Sequence, residues 1–297
     1  MVKNQIDLHL HSWYSDGRLS PEELVRECKK AGLKVIALTD HDHVGGVSAA
    51  IAEGKRNSIK VIPGIEFSTD YEGVEYHVLG MGINRKASYL QEFLELCVET
   101  KKEQIAAMVD VMKGEGFIIT MDDVLKEGKG ALNRAHIAYA IMARLKENQA
   151  ALRKFGISSL GDPSSDIFKM FLKEGAFGYR NRRRPTIEEV INLIQWLDGV
   201  AIWAHSTWKD DMPEIRRKAA LFQTFGLDGL EIGYSRDHQT VEQTLALHQI
   251  AQELSLLETA GSDFHSLTMP VYNQIANYEL PPNIELNLPA FLFPRET

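Results

Sequence analysis

Cysteine is scarce, long apolar stretches are missing and basic charge is in deficit. Only Cys28 and Cys97 occur among 297 residues. Neither belongs to a C-x-x-C or similar spacing, so they read as reduced core or surface thiols of a cytosolic protein. A chain of this length buries a large core without disulfides. No run of about 18 apolar residues is present, so no membrane-spanning helix and no membrane partner are expected. The opening MVKNQIDLHLHS lacks the apolar run of a signal peptide, and a cytoplasmic location is the expectation. Lys and Arg total 33 against 41 for Asp and Glu, a formal net charge of -8. Such a surface disfavours non-specific binding to long nucleic acids. The local exception is Arg180, Arg182, Arg183 and Arg184, which reads either as a solvated loop or as a phosphate-binding rim.

What is present is an alternation. Short runs rich in Val, Ile and Leu (Gln5–Leu8, Val35–Thr39, Lys60–Pro63, Glu75–Gly80, Val200–Ala204, Gly229–Ile232 and Leu256–Ala260) are mostly followed by amphipathic helical patterns. That rhythm predicts βα units around a parallel sheet, an α/β barrel. The first helix is well marked, with Ser20 as N-cap, Pro21 at N1, Glu23 completing a capping box and Gly32 at C′. Further helices are predicted at Val44–Arg56, Ala87–Gly114, Ile187–Leu197, Pro213–Phe225 and Gln239–Leu254. Residues 98–180 break the rhythm with helical patterns alone, including Met121–Glu127, Arg134–Leu145 and Ser165–Leu172. They are expected to form a helical subdomain inserted into a barrel made by residues 1–97 and 181–297. The tail from Pro281 is expected to wrap the surface without regular structure.

Histidines and acids fall where barrel chemistry would place them. His9 and His11 follow the first run, Asp40 and His41 the second, and Glu66 the third; His77 lies in the fourth, His205 ends the fifth, and Asp263 and His265 follow the last. The C-terminal ends of barrel strands converge on one face, where active sites sit. In a strand, positions i and i+2 point the same way, so His9 and His11 would face one ion, and Asp263 and His265 are expected to do the same. Imidazole with carboxylate suits Zn²⁺, Mn²⁺ or Fe²⁺. A lone histidine at a strand end is ordinary scaffold. Six of the ten histidines at equivalent positions are not, because burying that many polar rings without a common partner is costly. Asp16, Glu66 and Asp263 would offset only part of the charge of two or three divalent ions. The residual positive charge would attract an anionic substrate and acidify a bridging water into a hydroxide nucleophile, a chemistry suited to phosphate esters.

The motifs Asp7-Leu-His-Leu-His11-Ser, Ser15-Asp16-Gly17, Leu38-Thr-Asp-His41-Asp, Pro63-Gly-Ile-Glu66-Phe-Ser, Ala204-His205 and Gly261-Ser-Asp263-Phe-His265 resemble, in order, those of the PHP (polymerase and histidinol phosphatase) superfamily. The resemblance implies a distorted (β/α)7 barrel with up to three metals. His9, His11, Glu66 and Asp263 would hold the first, Glu66 as a bridge with His77 and His205 the second, and Asp16, His41 and His265 the third. The segment Asn133-Arg134-Ala-His136-Ile-Ala resembles the Arg-Pro-His-Ile-Ala of a branch with a helical insertion. That branch acts on the 3′-phosphate of nucleoside 3′,5′-bisphosphates or, as 5′-to-3′ exoribonucleases, on short RNA. Arg134 and His136 would there contact substrate phosphate, His136 as a proton donor to the leaving oxygen; otherwise they are surface residues of an exposed helix. His238 would reach the phosphate or else cap the helix that follows. Ala135 and Ser206 depart from the pattern, standing where relatives carry proline.

The expected activity is thus hydrolysis of a phosphate monoester on a small phosphorylated substrate, a nucleotide or short RNA end. A histidinol-phosphate-type phosphatase, an amidohydrolase-like hydrolase and a catalytically inert module are the alternatives. His43 and His248 are expected to be structural and surface residues, Trp203 to be core, and Trp208 is free to stack on a base.

Overall fold

Each of the seven apolar runs becomes a strand in the computed structural model, which describes residues 5–158, 164–235, 238–267 and 273–289. The strands are β1 (Ile6–Leu10), β2 (Val35–Leu38), β3 (Lys60–Tyr71), β4 (Val74–Met81), β5 (Val200–Trp203), β6 (Gly229–Gly233) and β7 (Leu257–Ala260). They form one sheet in sequential order. Leu10 bridges Phe264 just past β7, which brings the two edges together and closes a distorted (β/α)7 barrel. The all-parallel expectation needs correction at β4, which is antiparallel to both β3 and β5. The reason is the turn at Glu72 and Gly73, whose φ values of 54° and 81° fit a two-residue hairpin. Two residues cannot make the long crossover that parallel neighbours require.

The helices are α1 (Pro21–Lys30), α2 (Val47–Asn57), α3 (Ser88–Gly114), α4 (Met121–Glu127), α5 (Arg134–Ala143), α6 (Leu145–Lys154), α7 (Ser164–Ile167), α8 (Ile187–Trp196), α9 (Met212–Thr224) and α10 (Val241–Glu253). The Ser20–Glu23 capping box of α1 forms as its residues dictate, and Gly32 takes φ +83° beyond the C-cap. Leu90 and Leu94, in the first turns of α3, pack into the barrel core with Ile65, Phe67 and Trp203. Further along the same helix, Ile105, Met108 and Met112 join a separate cluster with Ile137, Ile141, Leu152 and Phe171. One continuous helix therefore serves two cores. The expected Arg134–Leu145 helix forms as α5 and stops two residues early at Arg144, at φ -114° and ψ 39°, where α6 begins, a helix not anticipated from the sequence. The expected Ser165–Leu172 helix starts at Ser164 and ends in a π turn over Phe168–Leu172.

The chain after Pro281 has no regular structure as far as residue 289, and the rest lies outside the described residues. It does more than wrap the surface. Ile284 is fully buried in the barrel core, and the Asn287 N–H donates to Glu258 at 2.9 Å. No helix among the described residues is long and apolar enough to cross a membrane.

Candidate metal centre

β1 and its C-terminal extension supply two histidines on one face, with His9 and His11 ring centroids 5.2 Å apart. In the β3–β4 hairpin Ser68 opposes His77, so Glu66 lies diagonally across on the same face and its Oε1 is 2.8 Å from His77 Nδ1. The antiparallel correction is therefore what delivers His77 to the site. His205, two residues past β5, takes φ 29° and places Nε2 2.9 Å from the same oxygen. The other oxygen, Oε2, is 3.2 Å from His9 Nε2, 3.1 Å from His11 Nε2 and 3.0 Å from His41 Nδ1. Glu66 is thus a fully buried carboxylate faced by five imidazoles.

Asp263 and His265 reach the cluster by a route the strand argument did not foresee. They follow β7 rather than belong to it, and Asp263 sits at φ 52°. This turn brings Asp263 Oδ1 within 3.0 Å of His11 Nε2 and 3.4 Å of His9 Nε2. His265 Nδ1 donates to the Asp263 carbonyl at 2.7 Å, which leaves Nε2 facing Asp16 Oδ1 at 3.3 Å. Two motif glycines have a steric reason. A Cβ on Gly261 would lie 2.3 Å from the His9 Cβ, and one on Gly17 would lie 2.4 Å from the His11 carbonyl oxygen.

The nine expected ligand residues therefore share one site. Ligand-type atoms lie within 4.8 Å of one another in three sets: His9, His11, Glu66 and Asp263; His11, Asp16, His41 and His265; and His41, Glu66 and His77. The first set matches expectation. The second adds His11, and in the third His41 takes the place expected of His205, although His205 Nε2 stays 3.2 Å from His77 Nδ1.

This donor set suits divalent cations. His9 Nε2, His11 Nε2, Asp16 Oδ1, His41 Nδ1, Glu66 Oε2 and Asp263 Oδ1 are buried without a hydrogen-bond partner, and all converge on the cluster. Orphaned polar atoms in such numbers are costly unless something bonds them. The electrostatics point the same way. Burial opposes charge on His11, yet Asp263 and Glu66 outweigh it and raise its pKa to about 10. Burial, helped by the neighbouring His11 and His77, holds His41 down at about 3 against the pull of Glu66 and Asp16. Burial also works against ionised Glu66 and Asp263, but the surrounding imidazoles keep both well below the usual carboxylate range. The carboxylates demand positive charge, which protons or metal ions can supply.

Outer partners fix the rings. Glu231, on β6, accepts from His9 Nδ1 at 3.0 Å and from the His205 backbone N–H at 2.8 Å. Tyr234 donates to Asp263 Oδ2 at 2.9 Å. Asp40 accepts from the Ser12 N–H, the Ser12 hydroxyl and the Ser15 hydroxyl, tying the β1 and β2 loops together. Sequence reasoning assigned Glu231, Tyr234 and Asp40 no such role. The only available signal was their place at strand ends.

The residues expected to meet substrate stand as follows. Arg134 opens α5, is partly buried and pairs with Glu75 Oε2 at 2.8 Å, while its NH1 nitrogen is buried and unpartnered. His136 is 1% exposed and its Nδ1 accepts the Asn133 N–H at 2.8 Å, which excludes the exposed-helix alternative. His238 is exposed, with its ring 6.3 Å from that of Tyr234. It does not cap α10, because Thr240 does. The arginine run is not a solvated loop throughout: the Arg184 side chain is buried against Glu174 and Tyr179, and that of Arg182 lies 3.6 Å from Asp42. His43 stacks on Tyr14, and its Nδ1 accepts the Gly45 N–H at 3.0 Å. His248 is half-buried and pairs with Glu258 at 2.6 Å, rather than lying free on the surface.

Comparison with known proteins agrees with this geometry. The chain is 29% identical over 267 residues to a 5′-3′ exoribonuclease of Haemophilus influenzae, covering 89% of this chain and 91% of that protein. It is 27% identical over 265 residues to a 3′,5′-nucleoside bisphosphate phosphatase of Chromobacterium violaceum, covering 88% and 87%. An amidohydrolase structure from Chromobacterium violaceum with bound sulfate and no metal superimposes with a TM-score of 0.79 at 26% identity, covering 94% and 92%. The PHP domain model matches residues 7–196, and with the barrel and its histidine–carboxylate cluster this establishes that the chain belongs to the PHP domain family and is a metal-dependent phosphoesterase.

Proposed function

We propose that the cluster holds two or three divalent ions, Mn²⁺, Zn²⁺ or Fe²⁺, and hydrolyses a phosphate monoester on a small nucleotide. The substrate is a nucleoside 3′,5′-bisphosphate losing its 3′-phosphate, or the end of a short oligonucleotide. When bound, the ions would neutralise phosphate charge and lower the pKa of water. Glu66 and Asp263, with His9, His11, Asp16, His41, His77, His205 and His265, would hold them. The observation that carries the reading is the free guanidinium arm of Arg134, buried beside a centre built for cations. Arg134 would orient the phosphate through that arm, with Glu75 steadying the other. His136 accepts the Asn133 N–H at Nδ1 and also bonds the Ser15 backbone, a partner its ring would exchange for the leaving oxygen when it passes a proton. His238 would reach the substrate from the exposed side. The named activities of the exoribonuclease and bisphosphate phosphatase relatives support a nucleotide.

The test is phosphate release from a panel of phosphomonoesters with added Mn²⁺, including nucleoside bisphosphates, short RNA and histidinol phosphate. Preferred turnover of the nucleotides is expected. Preference for histidinol phosphate, or hydrolysis of amides alone, would overturn the reading.

A further inference from the structure

Beside the histidine–carboxylate cluster lies a shallow recess open to solvent, walled by Glu75, His77, His205, Ser206, Trp208 and Lys209 among others. The turn Ser206–Trp208 follows directly on His205, and the Trp208 N–H donates to the His205 carbonyl at 2.9 Å. The same turn that presents a cluster imidazole therefore also sets the indole. Trp208 lies edge-on to His205, with ring centroids 4.9 Å apart, and 6.2 Å from His77. Trp208 is nonetheless 49% exposed, which leaves indole surface open to solvent beside a buried centre. Ser206, in the same turn, is 2% exposed and its hydroxyl is closed off from solvent. The charged groups of the wall are already paired, Glu75 with Arg134 and Lys209 with Glu174, so the indole is the surface left to an uncharged part of the substrate.

We propose that this recess is a subsite for the nucleobase of the substrate, stacked on the exposed face of Trp208. The inference rests on the nucleotide reading above and adds where the base sits. A flat indole accepts any base, because every base offers a π face, so the subsite selects for a ring rather than for a particular base. A substrate bound this way has its phosphate directed toward Arg134 and the cluster.

The experiment compares wild type, Trp208→Ala and Trp208→Phe, each with Mn²⁺, on adenosine 3′,5′-bisphosphate and on glycerol phosphate, which lacks a ring. The quantity read is the ratio of kcat/KM between the two substrates. Base stacking predicts that Trp208→Ala lowers this ratio by about ten- to a hundredfold, through KM, and that Trp208→Phe recovers most of it. A ratio within about twofold of wild type, with metal content and circular dichroism intact, would overturn the subsite. If wild type releases no phosphate from any nucleotide, the parent reading fails by itself. The subsite is then judged by calorimetric titration with adenosine 5′-monophosphate. Binding that Trp208→Ala weakens supports it, and equal or absent binding overturns it.

Discussion

The Lys101 ammonium lies 2.7 Å from Asp42 Oδ2, and both side chains are almost fully buried. The pair joins the long α3 helix to the loop that carries His41. The same ammonium donates to Asn133 Oδ1 at 2.9 Å, the residue just before Arg134. One buried cation thus ties the loop of a cluster histidine and the residue before Arg134, the arginine proposed to meet substrate, to a common strut. Lys101→Met leaves Asp42 uncompensated apart from Arg182, and is expected to cost about 3–5 kcal/mol in urea denaturation. The Lys101→Met/Asp42→Asn double variant should recover much of this. Equal destabilisation of single and double variants would show that the pair does not act as a unit.

Glu231 contacts the ring of His9 and the backbone of His205, so it orients two cluster residues without facing the cations' place. Glu231→Gln keeps the shape and loses the charge. Metal affinity should fall about 10–100-fold, read by competition with a chelator. An unchanged dissociation constant would leave Glu231 a packing residue.

Arg134→Ala should reduce kcat/KM on the best phosphomonoester by about 10–100-fold, the scale of a lost charge-assisted hydrogen bond. Metal content by elemental analysis should match wild type. By contrast, Glu66→Gln should abolish turnover and lower metal content, because five imidazoles lose their shared anion. Wild-type kinetics in Arg134→Ala would remove it from the phosphate site.

Without metal, His11 titrates near about 10 and His77 near about 9, since nearby carboxylates outweigh burial. Imidazole must be neutral to bind a cation, so loading at pH 7 should release protons, and affinity should rise with pH toward about 9–10. Calorimetry in buffers of different ionisation enthalpy counts those protons. The stability sign follows. Both pKa values exceed the unfolded value near 6.5, so the metal-free protein holds this stabilisation in full below about 6.5 and loses it as pH rises through about 9–10. Heat-denaturation midpoints of metal-free protein across pH 6–10 check this. A flat profile would contradict the raised values.

Much of this was legible because it is local. Alternation of apolar runs and helices marked all seven strands, Ser20 and Glu23 marked the start of α1, and the spacing His9-x-His11 marked a pair on one face. The end of α5 fell within two residues of the expected Leu145, but α6, which follows after Arg144 alone, escaped notice because no turn signal separates it. Asp263-x-His265 was placed with the right partners for the wrong reason, since a left-handed turn rather than strand alternation aims it.

By itself, the order of residues determined which segments are strands, which carry imidazole or carboxylate at their ends, and that those ends meet if the sheet closes. Only the tertiary structure decided that β4 runs antiparallel, that Glu66 sits among five imidazoles, that Glu75 holds Arg134, and that Lys101 binds Asp42. Periodicity records the neighbours a residue has along the chain. Charges separated by 59 residues, as in Glu75 and Arg134, become partners only when packing removes the water between them.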